Sequence, residues 1–290
     1  MAQAPSSNFA GMPLLQVLAL PHEDASRCVC NSGDALAHDL PADGKLIWYF
    51  RHGQSAGNAA RSAAESADKE KGDTKQVDAF LACKDFIDAP LSEVGQQQAG
   101  HAKDQVALWC AKPSLIVCSP LTRAIQTSAM IFERELSDGT ARLVIRPELR
   151  EFFPDDNQNQ GRAIDDLQKC PRLRSLARWP EISQALSDEA TATWREDWDR
   201  SWASGMAWQD HCGDIRRLAD FRDWLARRPE RMVAIVSHFG TINNMLNSEP
   251  WAEGVDRDRT TKHRWPCGGL AKRFPVTNCA WVAAVASVIP

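Results

Sequence analysis

The sequence predicts an α/β fold with a mostly parallel sheet and helices on both faces. Short apolar, β-branched runs recur along the chain: Leu46–Phe50, "SLIVCS", "RLVIRPEL", "RMVAIVSHFG" and "NCAWVAAVASVI". Segments of helical period lie between them. Strands alternating with helices need crossover connections, which make neighbouring strands parallel. The length, 290 residues with 43% hydrophobic and 25% charged side chains, suits one large domain of this kind or two small ones.

Residues 1–44 mix Pro, Ser, Asp and Gly without a strong period and are expected as an N-terminal arm; residues 45–290 are expected as a single domain. The arm's apolar patch "MPLLQVLAL" has no basic residue before Arg27, which argues against a secretory signal and leaves an organelle address open. No apolar run approaches the roughly 20 residues of a membrane helix. Leu46–Phe50 reads as a strand. The segment "AARSAAESADKEKGDTK" reads as a helix start that becomes an exposed loop. "APLSEVGQQQAGHAKDQVALWCAK" reads as a helix with Ser92 as N-cap, Val94, Ala99, Ala102, Val106 and Trp109 as its apolar positions, and Pro113 as its stop. "PLTRAIQTSAMIFEREL" is a helix with Pro120 near its first turn. Residues 154–215 are polar and Trp-rich (Trp179, Trp194, Trp198, Trp202, Trp208) and read as an insertion packed over one end of the sheet. "DIRRLADFRDWLARRPE" is an amphipathic helix with Ile215, Leu218, Phe221, Trp224 and Leu225 on one face, and "TINNMLN" is a short helix after the fourth strand.

Net charge is −4, which gives no general affinity for nucleic acid or anionic membrane. Nine cysteines, odd in number and irregular in spacing, read as reduced thiols of a cytoplasmic protein; Cys118 in its apolar run reads as a core residue.

Ligands of such sheets bind outside the carboxyl ends of the strands. The first strand ends in Arg51 and His52. The second leads into a helix carrying Arg123. The third is followed by Glu148, Arg150 and Glu151, and the fourth ends in Ser237 and His238, then Gly240. Parallel strands would bring two histidines, two arginines and a carboxylate to one edge. That set suits phosphoryl transfer: guanidinium groups match phosphate oxygens, a neutral imidazole can attack phosphorus, and a carboxylic acid can protonate the leaving oxygen. Singly, each residue has a plainer reading: R-H-G arises by chance, His238 could be a structural histidine, Arg123 a solvated one, and Glu151 an exposed loop carboxylate. His52, His101, His211, His238 and His263 show no H-x-x-x-H or H-E-x-x-H pair, so a metal site ranks low. P-loop, dinucleotide-binding and nucleophile-elbow motifs are absent from the sequence.

Four segments, "RHGQSAGN", "APLSEVGQQQA", "CSPLTRAIQTS" and "VAIVSHFGTI", resemble in order the signature segments of the histidine phosphatase superfamily, in its phosphoglycerate mutase-like branch. The resemblance implies a three-layer α/β/α sandwich with a mainly parallel sheet. It implies that His52 is the phosphorylated nucleophile, that Arg51, Arg123 and His238 complete a phosphate pocket, that Glu151 is the acid, and that Asn58 and Ser55 contact phosphate or substrate. No metal or organic cofactor is implied, and the partner expected is a small phosphorylated substrate. Mutases of the family usually carry Trp before the signature Asn, where this chain has Gly57; the departure favours hydrolysis over mutase activity, so the resemblance implies a metal-independent phosphatase acting through a phosphohistidine. A phosphomutase and a phosphate-binding protein without turnover are the alternatives.

Overall fold

The strand carrying the R-H-G tripeptide lies inside the sheet, and its burial organises everything else. In a computed structural model of the protein, residues 14–19, 37, 40, 42, 44–151, 157–188, 216–246 and 277–289 are described. Six strands form one sheet: β1 (Leu14–Ala19), β2 (Gly44–Arg51), β3 (Leu115–Cys118), β4 (Arg142–Ile145), β5 (Met232–Ser237) and β6 (Trp281–Ile289), in the order β1-β6-β2-β5-β3-β4. The β2, β5, β3 and β4 strands run parallel, and β6 is antiparallel to both its neighbours.

Leu46 to Phe50 are each at most 1% exposed, as expected of a strand covered on both faces. Period two divides them between two cores. Leu46, Trp48 and Phe50 join Ile116, Cys118, Ala234 and Val236 on one face; Ile47 and Tyr49 join Leu115, Val117, Val233 and Ile235 on the other. The first face is covered by α3 (Glu93–Ala107), α4 (Thr122–Ile131), α6 (Ile164–Lys169), α7 (Pro171–Arg174) and α8 (Trp179–Ser187). The second is covered by α9 (Arg216–Ala226) and α10 (Phe239–Leu246). The result is the expected three-layer α/β/α sandwich. Stacking of Trp48 on Trp109 and of Phe50 on Trp281, at centroid distances of 5.2 Å each, fills the first core beside β2.

Several sequence expectations change. Leu14–Ala19, expected within an arm, form an edge strand paired to β6. The segment expected to become a loop continues as α1 (Ala56–Lys71), followed by α2 (Lys75–Ala82). Its Ala, Glu and Lys residues are strong helix formers, Ser55 caps its start, and Gly72 at φ 69° closes it in the left-handed region. Of the apolar positions expected of this helix, Val94 is exposed; Ala99, Ala102, Val106 and, beyond its observed end, Trp109 are buried. Helix α3 ends at Ala107, six residues before the expected stop at Pro113. The "PLTRAIQTSAMIFEREL" helix breaks at Phe132, with α5 (Glu133–Ser137) following. In the expected polar insertion, Ile164, Leu167, Leu173, Ile182, Ala185 and Leu186 join the first core. Trp194, Trp198, Trp202, Trp208 and Ile215 lie outside the described residues. Cys83, Cys110, Cys118, Cys170 and Cys279 are free thiols, with Cys118 buried in the first core. Among the described residues, no helix is long and apolar enough to cross a membrane.

Candidate active site

The sheet register brings the strand-end residues together. Arg51 of β2 pairs with Ser237 of β5, so His52 and His238 leave neighbouring strands at the same level. The His52 N–H donates to Ser237 O at 3.0 Å, and the two imidazole centroids lie 4.9 Å apart. Next to β5, β3 leads through Ser119 into α4, whose second residue is Arg123. The loop after His52 is pressed against the start of α3. A Cβ on Gly53 would lie 2.6 Å from Gly95 O, and one on Gly95 would lie 2.0 Å from Gln54 O, so both close approaches require glycine. Ser92 caps α3 as the sequence predicts, accepting from the Gly95 N–H at 3.1 Å.

Hydrogen bonds assign both imidazole tautomers. His52 Nδ1 lies 2.6 Å from Gly53 O, and a carbonyl only accepts, so Nδ1 carries the proton. His52 Nε2 accepts from Arg123 Nε at 3.2 Å and keeps its lone pair. The opposite arrangement holds at His238. Its Nδ1 faces Arg123 Nη2 at 3.3 Å, and a guanidinium only donates; its Nε2 therefore carries the proton and donates to Ser119 Oγ at 2.7 Å. Burial, reinforced by Arg123 and Arg51, holds His52 well below the usual histidine range. Burial followed by Arg123, His52, Arg217 and Arg51 does the same to His238. Both rings are neutral at pH 7.

Arg123 is 1% exposed, which corrects the plainer reading of a solvated helix residue. Besides the two imidazoles, its guanidinium donates to Gln158 O at 2.6 Å and to Asn159 Oδ1 at 2.7 Å. Arg51 is half-buried with its guanidinium over the Phe239 ring. Burial lowers its pKa, and the Glu151 charge opposes that shift. Of the two carboxylates after β4, Glu148 pairs with Arg146, whereas Glu151 is buried and its Oε2 accepts from the Gly240 N–H at 3.2 Å. The end of β5, α10 and α9 hold this segment: Ser237 Oγ donates to Leu149 O at 2.7 Å, Thr241 Oγ1 donates to Arg150 O, and Arg217 donates to Glu148 O.

Ser55 and Asn58 form a reciprocal cap at the start of α1. The Asn58 N–H donates to Ser55 Oγ at 2.9 Å, while Ser55 Oγ and Asn58 Nδ2 both donate to Gln158 Oε1, at 3.2 and 3.1 Å. Both residues thus connect to Arg123 through Gln158, whose main-chain carbonyl accepts from the Arg123 guanidinium. Sequence reasoning missed Gln158, Asn159, Ser119 and Asn278, whose amide donates to His52 O at 2.9 Å. Ser119 lies inside a segment that carries the family resemblance; the other three had no local signal. His101 is exposed on α3, away from this edge, and His211 and His263 lie outside the described residues. Chemically, the cluster can hold a phosphate dianion on guanidinium groups against a neutral imidazole nitrogen, with a carboxyl group beside it.

The chain is similar to several known proteins. The family model described as histidine phosphatase superfamily (branch 1) matches residues 76–172. A phosphoglycerate mutase-like protein of Arabidopsis thaliana is 26% identical over 223 residues, covering 70% of this chain and 74% of that protein. Among solved structures, a mycobacterial glucosyl-3-phosphoglycerate phosphatase with bound VO3 is 23% identical, covering 69% of this chain and 79% of that one, with a TM-score of 0.35. A phosphoglycerate mutase from Bacillus anthracis is 14% identical, covering 71% and 79%, with a TM-score of 0.36.

Proposed function

We propose that this chain, similar over residues 76–172 to the histidine phosphatase superfamily (branch 1) and over 223 residues to a phosphoglycerate mutase-like protein, is a metal-independent phosphatase acting on a small phosphomonoester through phospho-His52. One observation carries the reading: the His52 proton is tied up on Nδ1 by Gly53 O, so the Nε2 lone pair faces Arg123 in a neutral, buried ring. Arg51 and Arg123 bind the phosphoryl oxygens and stabilise the charge that grows on them. His52 Nε2 attacks phosphorus; the P–N bond forms as the P–O bond to the alcohol breaks. Glu151, entering as the acid, transfers its proton to the leaving oxygen. His238 donates its Nε2 proton in a hydrogen bond, to Ser119 or to a phosphoryl oxygen. Water then attacks the phosphohistidine, giving its proton to the Glu151 carboxylate, and phosphate leaves.

Hydrolysis is favoured over mutase chemistry by the packing at Gly57. A Cβ there would meet Gln158 Oε1 at 2.8 Å and Ala89 Cβ at 3.3 Å. Gln158 packs against Gly57, the position where the resemblance implies Trp in mutases of the family.

Acid-quench trapping with a labelled phosphomonoester tests the reading. A base-stable, acid-labile phosphoprotein should form in the wild type and not in His52→Ala, and EDTA should leave turnover intact. No phosphoprotein and no hydrolysis across sugar phosphates, nucleotides and phosphopeptides would sink it. Stimulation by a bisphosphate with transfer between hydroxyls of one substrate would assign a mutase, and phosphate binding without turnover a binding protein.

A further inference from the structure

We propose that Asp88 is a positioning residue: its buried carboxylate fixes the first turn of α4 and thereby aims Arg123 into the phosphate pocket. The first N–H groups of a helix have no partner within it. The N-cap of α4 is Leu121, whose side chain offers no acceptor. Asp88, 34 residues earlier in the chain, supplies the acceptors instead. Its Oδ1 accepts from the Thr122 N–H at 2.7 Å and its Oδ2 from Thr122 Oγ1 at 2.5 Å. Arg162 pairs with the same Oδ2 at 3.2 Å. Thr122 immediately precedes Arg123, so both cap bonds act one residue from the pocket.

The surrounding segment ties the two halves of the site together. The Leu91 N–H donates to Gln126 Oε1 of α4 at 2.8 Å. On the other side, the Ala56 N–H donates to Pro90 O and the Ser92 N–H to Gln54 O, each at 2.9 Å. Residues 88–92 therefore bridge the His52 loop and the Arg123 helix, with Asp88 as the charged anchor.

This anchor is held against two costs. Asp88 has φ 49°, a left-handed conformation that a non-glycine residue adopts under strain. Burial also pushes its carboxyl up to about 6, although the Thr122 bonds and the charges of Arg123 on α4 and Arg162 before α6 pull the other way. A carboxyl raised in the folded state favours folding below its unfolded value near 4 and loses that contribution as pH rises to about 6. Above pH 6 the ionised group therefore destabilises the fold while making its strongest contacts to the helix. A group kept for packing alone would not carry that conflict.

The inference rests on the phosphate pocket proposed above, and sulfate, a dianion at all pH values used, separates the two. Calorimetric sulfate binding to the full chain should weaken in the wild type as pH falls through about 6. His52 and His238 remain neutral there, so they do not contribute. Asp88→Asn should bind about ten-fold more weakly near neutral pH, without that pH dependence, while its melting temperature rises relative to wild type between about pH 4 and 6. Thr122→Val, which keeps the backbone bond and loses the hydroxyl, should bind about three-fold more weakly. Unchanged or tighter sulfate binding in Asp88→Asn would overturn the inference; tighter binding would mean the carboxylate only repels the anion. If that variant fails to fold, a flat wild-type profile with unchanged Thr122→Val binding overturns it. A wild type that binds no sulfate takes down the pocket reading and this inference together.

Discussion

The turn after β2 and the turn after β5 each deliver a buried histidine to the same edge, and they prepare it in opposite ways. The first turn clamps its own imidazole: Gly53 O holds His52 Nδ1, leaving Nε2 as the lone pair. The second presents His238 to its neighbours: its Nε2–H donates to Ser119 Oγ, after β3, and its Nδ1 accepts from Arg123. On the proposed reading, one nitrogen is thus prepared to attack and the other to donate, with Arg123 between them. Identical residue types in similarly buried positions acquire different roles through single acceptor atoms.

The largest effect should separate the two histidines. His52→Ala should lower kcat at least about a thousand-fold and abolish the trapped phosphoprotein. His238→Ala should lower kcat about a hundred-fold and still allow slow phosphoprotein formation. A phosphoprotein that survives the first change and vanishes in the second would reverse the assignment. Arg123→Lys, which keeps the charge and loses the planar fork shared by both rings, should lower kcat/KM about a hundred-fold. Ser119→Ala sharpens the contrast, since it frees the His238 proton, together with the Leu121 N–H that donates to Ser119 Oγ at 3.3 Å, and leaves the His52 contacts in place: kcat/KM should fall about ten-fold with phosphoprotein formation retained.

The smallest effect is on pH dependence. Both rings are held neutral well below the usual histidine range, so kcat/KM corrected for substrate ionisation should show no histidine-dependent loss as pH falls through about 6.5. An acid limb there that His52→Ala or His238→Ala abolishes would show that one ring titrates normally. Stability has a matching sign: below about 6.5 the unfolded chain binds protons that the folded rings refuse, so these two groups lower stability on acidification.

His52, His238 and Arg123 were legible in the sequence because each follows an apolar run recognisable from neighbouring residues. Ser92 was legible for the same reason, as a local cap. Helix α1 was not, because its charge and small residues were read as loop although Ala, Glu and Lys favour helix. The β1 strand has the apolar content but gains meaning only by pairing with β6, about 270 residues later. Gln158 meets Asn58 across 100 residues of sequence and Arg123 across 35, so no local pattern marks it. The two carboxylates after β4 were distinguished in sequence by resemblance alone; in the structure Arg146 takes Glu148, and the Gly240 N–H takes Glu151.

By itself the sequence determined the strand–helix alternation, the parallel core and the strand ends where chemistry gathers, because period and turn residues act over a few positions. Only the tertiary structure decided which imidazole nitrogen carries each proton, which partner each carboxylate after β4 takes, and that Asp88 caps the helix of Arg123. Those choices depend on single acceptor atoms brought within about 3 Å of a donor from distant parts of the chain.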